Sequence, residues 1–190
     1  MTAGTLVAAV HRTEDWPKRS FISVAFGGRS NVGKSSLLNG LIGASAARTS
    51  KTPGRTQGIY LYDSGEGWLA ADLPGFGFAK VSRQARSLWQ ELAVAFFDER
   101  APLLTVQLID PRIATSDYDL EFRDYLHDRG LASIVVATKA DQLNQSDRFR
   151  AARRMEKEFG PLLFVSAKTG EGIEFLKKRI GKALAEGERE

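Results

Sequence analysis

The residues best suited to chemistry lie in one glycine-rich stretch, Gly-Arg-Ser-Asn-Val-Gly-Lys-Ser-Ser, at residues 28–36. This stretch fits the G-x-x-x-x-G-K-[ST] pattern, in which a turn between a strand and a helix wraps phosphate oxygens with its backbone N–H groups. Gly28 and Gly33 let the backbone approach the phosphates closely. Lys34 supplies a mobile cation for the β and γ phosphates, and Ser35 offers a hydroxyl to Mg²⁺. The stretch therefore predicts a nucleotide-phosphate site.

A second segment, Asp-Leu-Pro-Gly at residues 72–75, directly follows an apolar run. The carboxylate of Asp72 is placed to hold Mg²⁺, directly or through water, and the backbone N–H of Gly75 can meet a γ phosphate. Alone, these four residues would fit an ordinary turn. Their position after a phosphate loop and at the end of a strand favours the metal-binding interpretation.

The segment Thr-Lys-Ala-Asp at residues 138–141 carries a side chain that could select the base. The carboxylate of Asp141 can accept two parallel hydrogen bonds, which suits the N1–H and N2–H₂ donors of guanine, whereas adenine lacks that donor pair. The methylenes of Lys139 can lie over the base. Ser-Ala-Lys at residues 166–168 could add a backbone N–H toward the guanine O6. An ATP-dependent kinase is disfavoured by Asp141 and by the lack of an obvious lid segment.

The elements around these segments decide whether the segments meet. Short apolar runs alternate with amphipathic helical patterns, which predicts strands at residues 21–26, 58–63, 68–72, 103–110, 131–138 and 162–165, and helices at 35–41, 83–97, 117–129, 147–159 and 171–184. The fold class is therefore α/β: a three-layer P-loop domain with a six-stranded, mostly parallel sheet and helices on both faces. Loops at the carboxyl ends of such strands gather along one edge of the sheet, where ligands bind.

The chain of 190 residues is expected to form one domain at residues 21–186, preceded by a lead-in segment at residues 1–20. Trp16 of the lead-in is expected to pack on the sheet. Ser146 is the predicted N-cap of the helix at 147–159. The predicted apolar face of that helix consists of Phe149, Ala152, Met155 and Phe159.

The composition excludes several classes of protein. The chain has no cysteine, so disulfides and thiolate metal sites are excluded, and His11 and His127 alone give little material for a zinc centre. Apolar runs are too short for a membrane helix, and residues 6–10 lack the basic start of a secretion signal, so we expect no membrane insertion and a cytoplasmic location. A formal charge of +4 indicates a modest attraction to polyanions.

Together with Thr56, the four segments resemble the guanine-nucleotide motifs of the translation-factor-like GTPases, which implies a Ras-like G domain. Three stretches make the resemblance specific to one family within that class: residues 28–36, Thr-Ser-Lys-Thr-Pro-Gly-Arg-Thr-Gln (49–57) and Asp-Leu-Pro-Gly-Phe-Gly-Phe-Ala (72–79). These three stretches resemble the bacterial EngB family, also called YihA or YsxC, of the TrmE-Era-EngA-EngB-Septin-like GTPases. The resemblance implies hydrolysis of GTP to GDP and phosphate, a role in assembly of the large ribosomal subunit, and a link to cell division and septation.

The resemblance also implies a set of site residues, with GTP or GDP and Mg²⁺ as cofactors. Thr56 would be the switch threonine that closes on Mg²⁺ beside Ser35 and Asp72. The implied catalytic residues are Lys34, Thr56, Gly75 and Asn31. The implied nucleotide contacts are Gly28, Arg29, Ser30, Asn31, Val32, Gly33, Lys34, Ser35, Ser36, Gly54, Arg55, Thr56, Gln57, Gly58, Asp72, Leu73, Pro74, Gly75, Thr138, Lys139, Ala140, Asp141, Val165, Ser166, Ala167 and Lys168.

Phe76 bears on the rate of hydrolysis. Many GTPases place a glutamine there to orient the attacking water, and a phenyl ring cannot hydrogen-bond water, so slow intrinsic hydrolysis is expected. Asn31 stands where related GTPases use an asparagine to hold K⁺ against the phosphates, although it could also be a turn residue only. A group from the ribosome is the other candidate for the element that would stimulate hydrolysis in place of the missing glutamine. The alternative function is a low-turnover guanine-nucleotide-binding interaction protein at the division septum.

Basic residues crowd the two segments expected to switch with GTP, residues 46–57 and 74–82, and this favours an RNA-facing surface. They are Arg48, Lys51 and Arg55 in the first, and Lys80, Arg83 and Arg86 in and after the second. A further stripe consists of Arg150, Arg153, Arg154 and Lys157, and an ordinary solvated helix face explains it at least as well. The implied partner is the large ribosomal subunit or its precursor, met through rRNA and ribosomal proteins.

Overall fold

The computed structural model describes residues 4–43, 58–75 and 83–187, and at residues 83–90 it describes only the helical backbone. Several sequence predictions concern residues outside this part. They are the predictions for Arg48, Lys51, Gly54, Arg55, Thr56, Gln57, Phe76 and Lys80, and for the side chains of Arg83 and Arg86.

Within the described residues, seven strands form a single sheet. The strands are β1 (Leu6–Val10), β2 (Ser23–Gly28), β3 (Ile59–Asp63), β4 (Leu69–Asp72), β5 (Leu104–Ile109), β6 (Ser133–Ala137) and β7 (Leu162–Phe164). Their order across the sheet is β1-β3-β4-β2-β5-β6-β7. Strands β4, β2, β5, β6 and β7 are parallel, while β3 is antiparallel to both β4 and β1. The predicted α/β fold class is confirmed.

The sheet has one strand more than the six predicted, because β1 comes from the lead-in segment and pairs with the edge of β3. Its five residues alternate poorly between buried and exposed positions, and its register shifts between Leu6 and Ala8. A short edge strand of small apolar residues depends on the neighbouring strand for its conformation. Trp16, which follows β1, is buried in the same cluster as the sheet residues Ile59 and Leu61, and its ring lies 5.8 Å from that of Phe96.

In the described part of the chain, five α-helices cover the two faces of the sheet: α1 (Lys34–Ile42), α2 (Arg83–Arg100), α3 (Asp117–Asp128), α4 (Gln145–Phe159) and α5 (Ile173–Gly187). Successive residues of β2 point to opposite faces, so Phe26 packs in the cluster that α1 and α5 cover, whereas Ala25 packs beneath α2 and α3. Met155 of α4 packs on Ile109 and Ala137. None of the described helices is long and apolar enough to cross a membrane.

Two sequence predictions for α4 are wrong. Its N-cap is Asn144, whose side chain accepts a hydrogen bond from the Asp147 N–H at 2.8 Å, and not Ser146. Asparagine and serine cap helices about equally well, so the sequence does not distinguish them. Phe149 is 63% exposed, because α4 packs on the sheet through Ala151 and Met155, and a residue two positions before Ala151 lies on the far side of the helix.

Candidate guanine-nucleotide site

The described residues of the predicted nucleotide-contact set, with one exception, lie at one edge of the sheet, the carboxyl edge, either in four loops or at the ends of the strands and helix that border these loops. These loops follow β2, β4, β6 and β7, and the last of them begins after Phe164, where β7 ends. The exception is Gly58, which lies against β1, where an added Cβ would overlap the Val10 carbonyl oxygen. Close approach of the two strands is therefore sufficient to explain a glycine at residue 58.

The phosphate loop connects β2 directly to α1. Gly33 precedes α1 with a φ of 109°, in the region that favours glycine. An added Cβ on Gly28 would lie 2.6 Å from the carbonyl oxygen of Leu108, so the start of the loop has no room for a side chain. The backbone N–H groups at the start of α1 have no partner within the helix and can bind phosphate.

Lys34 and Asp72 contact each other directly within this site. The Lys34 ammonium donates a hydrogen bond to Oδ1 of Asp72, and the two side chains are only 9% and 6% exposed. The contact follows from the sheet, because Asp72 ends β4 beside Phe26 of β2 in parallel register. A cation suited to phosphate and an anion suited to Mg²⁺ thus balance each other in a buried position.

The loop after β4 touches the phosphate loop. An added Cβ on Gly75 would lie 3.3 Å from both Cα and N of Ser30, which is closer than most side chains approach backbone atoms. The predicted contact of Gly75 with a γ phosphate requires such proximity to the phosphate loop. The absence of a side chain at residue 75 therefore fits the place of this residue beside the phosphates.

The loop after β6 is fastened to the phosphate loop by two adjacent side chains. The Thr138 hydroxyl lies within hydrogen-bond distance of two carbonyl oxygens, those of Val32 at 2.6 Å and Ile109 at 3.1 Å, and its single proton is donated to this pair. Lys139 Nζ donates to the carbonyl oxygen of Asn31 at 2.6 Å. Because its ammonium is held at residue 31, the methylenes of Lys139 span the space between the two loops, as the predicted contact with a base requires.

The carboxylate of Asp141 is oriented by the loop after β7. Ser166 Oγ donates to Asp141 Oδ1 at 2.6 Å, and Ser166 is completely buried. The Ala140 N–H donates to the Val165 carbonyl oxygen at 3.0 Å, which joins the two loops a second time. Sequence reasoning gave residues 166–168 a backbone contact with guanine and missed this use of the Ser166 hydroxyl.

Sequence reasoning also missed Asp110 and Arg112, which follow β5 at the same edge. The Asp110 carboxylate accepts hydrogen bonds from Arg112 Nε at 2.8 Å, from Arg112 Nη2 at 2.6 Å and from Lys139 Nζ at 3.0 Å. Burial alone would raise the pKa of Asp110, but the hydrogen bonds from Arg112 and Lys139 outweigh it and lower this pKa to about 2. The signal available in the sequence was an acidic residue at the end of a buried strand.

The donors at this edge fit Mg²⁺ better than a transition metal. In the described part of the chain, His, Cys, Asp and Glu form no group of three or more that could hold a metal ion. Mg²⁺ is usually bound by one or two protein oxygens and completed by substrate phosphates and water. The buried carboxylate of Asp72 and the hydroxyl of Ser35 at the first turn of α1 are donors of this type.

Comparison with known proteins agrees with this geometry. Residues 23–139 match the profile of the family described as 50S ribosome-binding GTPase. The probable GTP-binding protein EngB of Petrotoga mobilis is 36% identical over 189 residues, covering 96% of each chain. The protein of the same name from Thermotoga maritima is 38% identical over 187 residues, covering 95% of this chain and 96% of its own.

Solved structures show the same relationship in three dimensions. The crystal structure of a probable GTP-binding protein EngB superposes with a TM-score of 0.73 and 27% identity, covering 86% of this chain and 99% of its own. A crystal structure of Era, at 23% identity and a TM-score of 0.69, shares the fold, with 87% of this chain and 57% of its own covered. This chain belongs to the EngB family of GTP-binding proteins, whose domain is a P-loop GTPase domain.

Proposed function

We propose that this protein hydrolyses GTP to GDP and phosphate as a cytoplasmic switch in assembly of the large ribosomal subunit, with a link to cell division and septation. The observation that carries the nucleotide part is the fastening of four loops at the carboxyl edge, with Asp141 held by Ser166 and Lys34 held by Asp72. The family description, 50S ribosome-binding GTPase, supports the ribosomal part.

Each described side chain has a distinct task in this proposal. The Lys34 ammonium and the backbone N–H groups of the phosphate loop bind the β and γ phosphates. Asp72 and Ser35 hold Mg²⁺, which, when bound, neutralises charge that develops on the phosphate oxygens. Gly75 meets the γ phosphate through its N–H, and Thr56 would complete the metal site. Loss of the γ phosphate would release the segments that contain Gly75 and Thr56.

The exposed face of α4 suits contact with RNA. Arg153 has its guanidinium 5.7 Å from the ring centroid of Phe149, and Phe149 is 63% exposed. Exposed aromatic rings beside arginine side chains can stack with unpaired bases while the cations meet phosphates. Arg154, from the same predicted stripe, is used within the protein, since it donates to the carbonyl oxygens of Pro111 and Ile113.

Sedimentation with separated ribosomal subunits tests the proposed function. We expect the protein to pellet with the large subunit in the presence of a non-hydrolysable GTP analogue and to remain in the supernatant with GDP. The reason is that the two switch segments would adopt their ribosome-binding conformation only when the γ phosphate is present. Arg153→Ala should weaken pelleting severalfold. It should also reduce the slope of log affinity against log salt concentration by about one, because one phosphate contact is lost.

Lys182→Ala is the matched control for this experiment, because Lys182 is another exposed helical cation, with 71% of its side chain exposed, on α5. It should leave pelleting unchanged. Equal pelleting with both subunits, or the same amount with GDP and the analogue, would contradict the proposal. An affinity independent of salt would exclude phosphate contacts.

Asn31 is the residue through which K⁺ is proposed to stimulate hydrolysis. Its φ is 62°, its carbonyl oxygen accepts a hydrogen bond from Lys139, and the residue is exposed. The amide oxygen is therefore available as a ligand. We expect faster phosphate release in K⁺ than in Na⁺ at equal ionic strength, and no such difference for Asn31→Ala. Equal rates in both salts for the unaltered protein would rule out this role.

A low-turnover binding protein that acts at the division septum is the second candidate, and the phenylalanine at residue 76 is the observation that favours it. A phenyl ring cannot orient the water that attacks GTP. Phosphate release measured with and without large subunits separates the candidates, because only a switch should be accelerated by its partner. Turnover that stays negligible in both conditions would support the second candidate.

A further inference from the structure

Two non-glycine residues in the described part of the chain have a positive φ, Asn31 at 62° and Lys139 at 57°. They are hydrogen-bonded to each other, since Lys139 Nζ donates to the Asn31 carbonyl oxygen. A left-handed conformation costs free energy for residues with a Cβ and persists only where the surroundings hold it. Something in the structure must therefore hold this pair, one member of which is in the phosphate loop and the other in the loop after β6, residues 138–141, which we call the base-recognition loop.

The group that holds Lys139 is the carboxylate of Asp110, which belongs to neither loop. Asp110 Oδ2 accepts a hydrogen bond from Lys139 Nζ at 3.0 Å, and the Asp110 side chain is only 7% exposed. The Lys139 side chain is 24% exposed, so without Asp110 its ammonium could turn toward water. Ion pairs with one well-buried partner are weakened little by solvent screening.

Arg112 closes a ring of contacts around Asp110. Its guanidinium bonds both oxygens of the Asp110 carboxylate and also donates to the side-chain oxygen of Gln142. The backbone N–H of Gln142 in turn donates to the carbonyl oxygen of Lys139 at 3.0 Å. The hydrogen bonds thus form a closed ring from Lys139 through Asp110, Arg112 and Gln142 back to Lys139. The two-point guanidinium contact fixes the direction of the Asp110 carboxylate.

The charge of Asp110 is constant under ordinary conditions. Its pKa, lowered to about 2 by Arg112 and Lys139 against the effect of burial, leaves it ionised at any pH at which the protein would work. Two cations, Arg112 and Lys139, contact this one anion, and Asp141 is a second negative charge that acts on Arg112. Asp110 therefore acts as a permanent anchor and not as a switch.

We propose that Asp110 is a positioning residue for guanine-nucleotide binding, which acts through Lys139 to hold the phosphate loop and the base-recognition loop as one unit. Nucleotide release requires both loops to lose their contacts with the nucleotide, so a rigid link between the loops should slow release. The link also sets the backbone of Asn31 and hence the direction of its amide. The proposal depends only on guanine-nucleotide binding by the family and is independent of the ribosomal partner.

The test measures dissociation of a fluorescent GDP analogue from the isolated full-length protein. Asp110→Asn keeps the shape of the side chain and removes its charge, and it is expected to accelerate release roughly tenfold, as loss of a hydrogen bond between charged groups would. Asp128→Asn, a change at a carboxylate 79% exposed on the last turn of α3, is the matched control and should leave the release rate unchanged.

A double-mutant cycle distinguishes positioning from a merely structural role. Lys139→Met keeps the methylenes and removes the ammonium, so it should accelerate release on its own, and Asp110→Asn should add nothing in that background. An unchanged rate for Asp110→Asn, or equal acceleration with and without the Lys139 ammonium, would overturn the proposal. Should Asp110→Asn not fold, Asp110→Glu enters the same cycle, with the same non-additivity expected and the same additivity overturning it.

Discussion

Replacing Asp141 by asparagine is expected to convert the protein from binding guanine nucleotides to binding xanthine nucleotides. The side-chain amide that Asp141→Asn introduces would present its NH₂ group to the N2–H₂ donor of guanine. Xanthine carries an oxygen at that position and can accept the amide hydrogen instead. Affinity for GDP should fall roughly 100-fold or more, because hydrogen bonds to a charged acceptor are lost and two donors oppose each other.

The contact between Asp141 and Ser166 makes this outcome specific. Ser166 Oγ donates to one carboxylate oxygen at 2.6 Å, and a hydroxyl that donates there will keep the oxygen, not the NH₂ group, of the new amide beside it. The NH₂ group is then left for the base. Ser166→Ala combined with Asp141→Asn should therefore discriminate less well between the two bases.

Competition titrations of fluorescent GDP with GDP and with xanthosine diphosphate measure the change. Asp147→Asn, a change at a half-exposed carboxylate in the first turn of α4, is the control and should alter neither affinity. If the affinities for the two nucleotides fell in parallel for Asp141→Asn, Asp141 would not lie on the edge of the base.

The fold was largely predictable because its strongest signals are local. Glycines at residues 28 and 33, between an apolar strand and a short helix, define the phosphate loop without reference to the rest of the chain. Strand β1 was missed for the opposite reason: its conformation depends on β3, about 50 residues later in the chain, and its own residues carry no period. Phe149 was misplaced because helical periodicity alone does not say which apolar residue the sheet has room for.

The candidate site was predictable as a set of loops and not as a set of contacts. The alternation of strands and helices in the sequence predicts a parallel sheet. The ends of its strands bring Lys34 near Asp72, and Asp141 near Ser166. Which atoms pair depends on side-chain directions that only the folded chain defines. Asp110 illustrates the difference, since in the sequence an aspartate before a proline indicates only the end of a strand.

Replacing Lys34 by methionine is expected to lower affinity for GTP by roughly 10- to 100-fold, because a charged hydrogen-bond donor to the phosphates is lost. The same change should lower the free energy of unfolding of the nucleotide-free protein by about 3–5 kcal/mol, since the Asp72 carboxylate would stay buried without its cation. Urea unfolding measures the second effect, and titration with a fluorescent GTP analogue measures the first.

The double variant Lys34→Met with Asp72→Asn separates the two effects. Both members of the buried pair are then uncharged, so most of the lost stability should return, because the penalty for an unpaired buried charge is gone. Affinity for GTP should not return, since neither the phosphate cation nor the Mg²⁺ ligand is present. If neutralising Asp72 restored GTP binding, the ammonium of Lys34 would serve only to balance Asp72, and the phosphates would be held by the backbone of the loop alone.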